Sequence, residues 1–346
     1  MKSIFLPRLV NGPFDDPALF VRIFGERNAL LFDLGDISRL SPSEIMRLSD
    51  VFISHTHIDH FIGFDHLLRI VLGRDKKVRF YGPRGLIRNV RGKLAGYTWN
   101  LVDDYRLELE VTEIGRSTLR TRLFTCRKRF RDEEDRGTRP FGDMVLDTPL
   151  YSIRAAALDH RTSCLAYALK EKVHINVNKD RLLKAGMEVG PWLSEMKGLY
   201  REGDLEREIE VPTGDGGMLK LPAGRLMEDL AEVTEGRKIA YVSDIVYSRK
   251  NEKAVVQLAE GADILYCEAA FLDRDRDRAR DKSHLTAAQA GKLAGLSGAG
   301  RLEVFHFSPR YQGDEGEIRR EARESFLKFR RKGSEDHALP GGGQGR

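Results

Sequence analysis

The sequence predicts an α/β fold, and three observations carry that expectation. Short apolar runs rich in branched and aromatic residues recur along the chain, and helical patterns separate them. One run after another also ends in a polar residue able to bind metal or move a proton, which is where open α/β sheets place their sites. A length of 346 residues suffices for one large core, and no step in composition divides the chain. We expect one principal domain over residues 1–332, followed at 333–346 by a Gly-rich, disordered tail.

The elements follow in order. Residues 21–24 and 28–33 read as a strand pair turned at Gly25-Glu26, and 51–54 as a buried strand. Phe61, Phe64, Leu67, Leu68, Val71 and Leu72 recur at helical spacing. Residues 77–81 form a strand closed by Gly82-Pro83, 105–130 are β-like, and 151–158 form a strand ending at Asp159-His160. In the second half, the runs 238–244, 262–268 and 301–306 end in Asp244, Glu268 and His306, with a helix over 286–296 before the last. A charged helix is expected over 317–332, docking through Ile318, Phe326, Leu327 and Phe329.

The chemistry concentrates in His55-Thr-His57-Ile-Asp59-His60, three imidazoles and a carboxylate in six residues. At the end of a strand, His55 and His57 share a side, while Asp59 and His60 fall in the turn before the helix. One short segment can thus serve two neighbouring metals. Adding the strand-end residues His160, Asp244 and His306 assigns His55, His57 and His160 to one ion, and Asp59, His60 and His306 to the other, with Asp244 bridging. Imidazole and carboxylate donors favour two zinc ions, with manganese or iron(II) as alternatives. Paired ions about 3.5–4 Å apart can lower the pKa of a shared water to roughly 7, which is an apparatus for hydrolysis.

This ligand set resembles that of the metallo-β-lactamase-fold hydrolases, and the second half is similar to ribonuclease Z, the tRNA 3′ endonuclease family. The likeness rests on Glu268 followed by Ser283-His284-Leu-Thr-Ala-Ala-Gln-Ala290, on Phe305-His306-Phe-Ser308-Pro309-Arg310-Tyr311, and on Gly190-Pro191-Trp-Leu-Ser-Glu-Met-Lys197. It implies an αββα four-layer sandwich with an insert between the His160 and Asp244 strands, at about 171–236, where bacterial members carry an arm for the tRNA elbow. It implies further that the enzyme is a homodimer acting on precursor tRNA, leaving a 3′-hydroxyl, with Asp59 accepting a proton from the attacking water. Glu268 can hold His284 protonated, ready to supply the departing ribose oxygen. Ser308, Arg310 and Lys197 are candidate substrate contacts. Ile58 stands where the family usually has Gly, so ordinary backbone angles are expected there.

Charge and composition bound the partners. A net charge of +5 is mildly favourable to a polyanion, yet residues 171–236 hold nine Lys or Arg against fourteen Asp or Glu. Arg120, Arg122, Arg127, Lys128, Arg129 and Arg131, interleaved with Phe124 and Phe130, read as a basic, aromatic RNA surface or as the solvated face of a hairpin. Cys126, Cys164 and Cys267 form no paired motif and are expected in the core. The chain shows neither a signal peptide nor an apolar run of about twenty residues, so a soluble, cytoplasmic protein without membrane partners is expected. The rival readings are a superfamily hydrolase of a small ester, thioester or cyclic phosphodiester, and a metal-binding RNA scaffold without turnover.

Overall fold

The computed structural model describes residues 4–335, with side chains through Arg330, so the expected tail lies outside the described residues from 336 on. The chain forms two compact units. The larger comprises Phe5–Val145, Ile153–Leu169 and the chain from Lys238 on, and the smaller is built mainly from Lys170–Arg237, with Leu146–Ser152.

In the larger unit, hairpins and crossovers build two sheets. The first has eight strands, with Ala29–Phe32, Leu48–Phe52, Lys77–Pro83 and Glu108–Ile114 parallel at its centre and antiparallel strands on both flanks. In the second, Arg301–Phe305, Ile264–Glu268 and Lys238–Val242 run parallel and continue into Ser163–Glu171, Tyr151–Asp159 and Met144–Asp147. Parallel neighbours need crossovers, and the helices between them cover the outer faces. Phe64–Val71 and Leu86–Ala95 bury Phe64, Leu67, Val71, Ile87 and Val90 against the first sheet. Arg249–Ala259, Ala287–Leu296 and Glu315–Glu335 bury Val255, Ala290, Leu293, Ile318 and Phe326 against the second.

Aromatic side chains fill the space between the sheets. Phe52 lies 5.1 Å from Phe32 and 5.5 Å from Tyr167, Phe32 lies 5.8 Å from Tyr241, and Tyr241 stacks on Phe305 at 5.3 Å. Tyr167 also donates its hydroxyl to the Ile53 carbonyl at 2.7 Å, satisfying a polar atom that burial would otherwise penalise. This is the αββα sandwich. Its sheets are oriented so that the C-terminal ends of the parallel strands, in both sheets, converge on one rim.

The smaller unit has its own core of Ile175, Leu182, Trp192, Met196, Leu199, Ile209, Val211, Leu226 and Leu230. Strand Val173–Val177 pairs with Ala231–Glu235, and Glu208–Pro212 with Met218–Pro222, around the helices Lys179–Lys184, Trp192–Glu202 and Ala223–Leu230. The insert expected at 171–236 falls within it. Among the described residues, no helix is long and apolar enough to cross a membrane. All three cysteines are free and buried, as expected of small core residues.

Candidate metal centre

The histidine segment leaves strand Leu48–Phe52 and turns through a single 3-10 turn, Ile58–His60, before helix Phe64–Val71. Close packing fixes that turn. A Cβ on Gly35 would stand 2.6 Å from the Asp59 carbonyl, and one on Gly63 would stand 2.2 Å from the Gly35 carbonyl, so only glycine permits these chains to meet. Ile58 has ordinary backbone angles, as its branched side chain requires, and is 75% exposed.

All seven expected ligands come together in the larger unit, in two groups that share Asp244. His55, His57 and His160 form one with it, and Asp59, His60 and His306 the other, each with its donor atoms within 4.8 Å of one another. Asp244 Oδ2 lies 3.7 Å from His55 Nε2, 3.7 Å from His160 Nε2 and 3.3 Å from His60 Nε2, while Asp244 Oδ1 lies 3.3 Å from His306 Nε2. Donors about 2.0–2.1 Å from a tetrahedral zinc would stand roughly 3.4 Å apart, so these separations fit a cation between them. His55 Nε2 and His60 Nε2 are buried without a hydrogen-bond partner. Such orphaned nitrogens are costly unless something binds them.

The other ring nitrogens explain why Nε2 is free. Asp33, buried at the end of strand Ala29–Phe32, accepts from Ser54 N at 2.6 Å, from Ser54 Oγ at 2.8 Å, from His60 Nδ1 at 2.8 Å and from the Tyr241 hydroxyl at 2.9 Å. With its hydrogen spent on Asp33, Ser54 Oγ accepts from His55 Nδ1 at 3.1 Å. His160 Nδ1 donates to the Ser283 carbonyl at 2.8 Å. Each Nδ1 therefore carries the hydrogen and each Nε2 presents a lone pair inward, the arrangement that outer partners impose on metal-binding histidines. Sequence reasoning missed Asp33 and Ser54. The available signal was that Asp33 ends its strand just as Asp244 and Glu268 end theirs.

Electrostatics keep His55 and His57 in this neutral form, whereas the carboxylates around His60 favour a charged ring. Burial, helped by the neighbouring His60, drives the His55 proton affinity down to about 2, and burial also lowers His57, so both remain neutral donors. Burial opposes charge on His60, but Asp244 and Asp33 outweigh it and raise its pKa well above the ordinary value. Burial would likewise raise Asp59, yet His60 and His306 outweigh it and hold the carboxyl at about 2.

Beside the shared carboxylate, His284 Nδ1 meets Glu268 Oε2 at 2.8 Å and lies 3.8 Å from Asp244 Oδ1. Glu268 is fully buried and is aimed by the Ile245 N–H, which donates to its other oxygen at 2.7 Å. Burial lowers the affinity of His284 for a proton, but Glu268 and Asp244 outweigh it and raise the pKa to about 9. The ring keeps 19% exposure, and with Nδ1 occupied, Nε2 is the nitrogen left for a substrate. Local strain supports this placement: of the six non-glycine residues with positive φ among the described residues, Asp33 and His306 belong to the site, while Arg161 and Ser283 adjoin His160 and His284. Each such conformation costs about 1–3 kcal/mol and persists only where the surroundings enforce it.

The expected substrate contacts are less concentrated. Arg310 pairs with Asp275 at 3.3 Å and lies over Tyr311, and the Ser308 N–H donates to the Ala270 carbonyl at 3.0 Å. Lys197 lies on helix Trp192–Glu202 of the smaller unit, where burial lowers its pKa. The basic and aromatic run around Arg120–Arg131 does not offer stacking rings: Phe124 and Phe130 are buried, Arg129 pairs with Asp103 at 2.6 Å, and Arg122 pairs with Asp135.

No family model matches the chain. It is 29% identical over 324 residues to a ribonuclease Z of Deinococcus radiodurans, covering 92% of this chain and 95% of that one. It is 30% identical over 296 residues to a ribonuclease Z of Brevibacillus brevis, covering 83% and 78%. Among solved structures, the metallo-beta-lactamase fold protein YhfI of Bacillus subtilis matches with a TM-score of 0.53 at 16% identity, covering 93% of this chain and 92% of that one. A long form RNase Z from yeast matches with a TM-score of 0.50 at 12% identity, covering 89% of this chain and 38% of that one. These two likenesses carry the fold, which is the metallo-β-lactamase fold.

Proposed function

The chain belongs to the ribonuclease Z family, and from that premise we propose how its residues cut precursor tRNA at the 3′ end. It is a metal-dependent endoribonuclease. The reading rests above all on one juxtaposition, the Glu268–His284 pair 3.8 Å from the carboxylate that the two ligand groups share.

Two divalent ions, with zinc preferred for this donor set, would be held by His55, His57, His160 and Asp244, and by Asp59, His60, His306 and Asp244. When bound, they supply an ionised water near neutral pH and polarise the scissile phosphodiester. Asp59, kept ionised by His60 and His306, accepts the proton that the attacking water loses. As the water oxygen bonds to phosphorus, the bond from phosphorus to the 3′ oxygen breaks, and His284 Nε2 donates its proton to that oxygen. The products are a 3′-hydroxyl on the tRNA and a 5′-phosphate on the trailer. Glu268 keeps His284 charged for the next proton transfer, and Asp33 and Ser54 hold His55 and His60 in register.

Family membership supports a homodimer in which the smaller unit serves as the arm that grips tRNA, and supports a cytoplasmic enzyme meeting newly made transcripts. Turnover of precursor tRNA should exceed that of bis-nitrophenyl phosphate by orders of magnitude in kcat/KM, and a reversed ranking would favour a small-molecule hydrolase.

A further inference from the structure

The larger unit has an open cleft of about 820 Å3, walled in part by the loop that presents His160. Arg84, Arg116, Arg120, Arg161 and Lys250 line it. All five are exposed, and none makes an ion pair among the described residues, whereas nearby Arg122, Arg129 and Lys128 are each matched to a carboxylate. The two acidic side chains of the cleft are committed elsewhere. Glu113 Oε1 accepts from the N–H groups of Gly85 and Ile87 at 2.9 and 3.2 Å, and Asp159 Oδ1 accepts from the Arg161 N–H at 2.8 Å.

Five like charges around one cleft repel one another. A polyanion would neutralise them and release its own counterions. The cleft also has a definite position relative to the chemistry. Arg161 donates to the Arg280 carbonyl at 3.4 Å, His160 donates to the Ser283 carbonyl at 2.8 Å, and the His160 ring is 5.3 Å from that of His284. It therefore adjoins the His284 side of the site, not the Asp59 side, where the carboxylate lies between His60 and His306.

Resting on the reading that His284 protonates the departing 3′ oxygen, we infer that this cleft binds the sugar–phosphate backbone on the 5′ side of the cut. That is the product that leaves with the 3′-hydroxyl. The trailer lies on the other side and makes no contact with these five cations.

The test compares the full-length, metal-loaded protein with its Arg116→Ala/Arg120→Ala and Arg116→Lys/Arg120→Lys variants, using two probes. One is the mature tRNA ending in a 3′-hydroxyl, and the other is a trailer oligonucleotide with a 5′-phosphate. The alanine pair should weaken binding of the mature tRNA by about tenfold and reduce the slope of log affinity against log salt by about 1.4–1.8, two phosphate contacts' worth. Trailer affinity should not change, and the lysine pair should retain the slope. Unchanged affinity and slope for the tRNA, or an equal loss for both probes, would overturn the inference. Binding needs no turnover, so failure of the unsubstituted protein to cut precursor tRNA would contradict the functional reading and leave the cleft to be judged by the probes.

Discussion

At the level of single residues, the site depends on which nitrogen of each imidazole carries a hydrogen. Asp33, Ser54 and the Ser283 carbonyl fix Nδ1 as the donor in His60, His55 and His160, and the lone pairs that remain face Asp244. Replacing Asp244 by alanine removes the one carboxylate common to both groups, so metal analysis of D244A should find both positions depleted; retention of two ions per chain would contradict the bridging role. His284 makes a different prediction. On the proposal that His284 donates a proton and holds no ion, H284A should lower kcat by about 10^2- to 10^4-fold with metal content intact; loss of metal together with activity would assign it to the ligands instead. Because Glu268 raises the His284 pKa, the protonated acid persists to higher pH, and activity should be lost as pH rises through that value. Glu268→Gln removes the negative charge, so the alkaline limb of kcat should move to lower pH; an unmoved limb would assign it to another group.

At the level of elements, close helix packing sets how precisely the second sheet presents Glu268 and His306. Thr286 caps helix Ala287–Leu296 with its hydroxyl on the Gln289 N–H, and the Gln289 side chain returns to the Thr286 N–H. That capping box holds the segment carrying His284. Further along, a Cβ on Gly291 would stand 2.2 Å from the Ala322 carbonyl of helix Glu315–Glu335, a clash with backbone that cannot be relieved by a rotamer change. Gly291→Ala should destabilise the protein by about 1–3 kcal/mol. Gly92, inside helix Leu86–Ala95, has open space around its Cβ position, so Gly92→Ala should stabilise by about 0.4–1 kcal/mol. Thermal unfolding of the two variants checks both signs; midpoints shifted in the same direction would show that packing at these crossings has been misjudged.

The same scale shows what the sequence makes legible. Strands whose C-terminal residue can bind metal were readable because the apolar run and the ligand occur side by side, as in the 238–244 and 262–268 segments. Strand Ser163–Glu171 was not assigned from sequence: it is buried on both faces through most of its length, so no alternation marks it. Asp33 went unused because it reaches the site through hydrogen bonds to Ser54 and His60, and nothing in its spacing to His60 reveals that contact. Phe124 and Phe130 looked available for stacking because alternation with arginine does not tell which face of a hairpin is buried.

At the level of the whole molecule, charge is distributed unevenly in a way that suits RNA. The insert at 171–236 is net acidic, so the positive excess of the chain lies outside it, and a cluster of unmatched cations borders the catalytic rim. The fold brings the four donors that follow strand Leu48–Phe52 together with His160, Asp244 and His306 from three other strands, and an interior aromatic layer packs between the sheets. The most direct test of the account is to incubate the metal-loaded protein with a precursor tRNA and map the cut and its end groups. One cleavage is expected at the 3′ end of the tRNA body, leaving a 3′-hydroxyl and a trailer with a 5′-phosphate. A 2′,3′-cyclic phosphate, or a 3′-phosphate with a 5′-hydroxyl trailer, would contradict it, because His284 would then not be the donor to the 3′ oxygen.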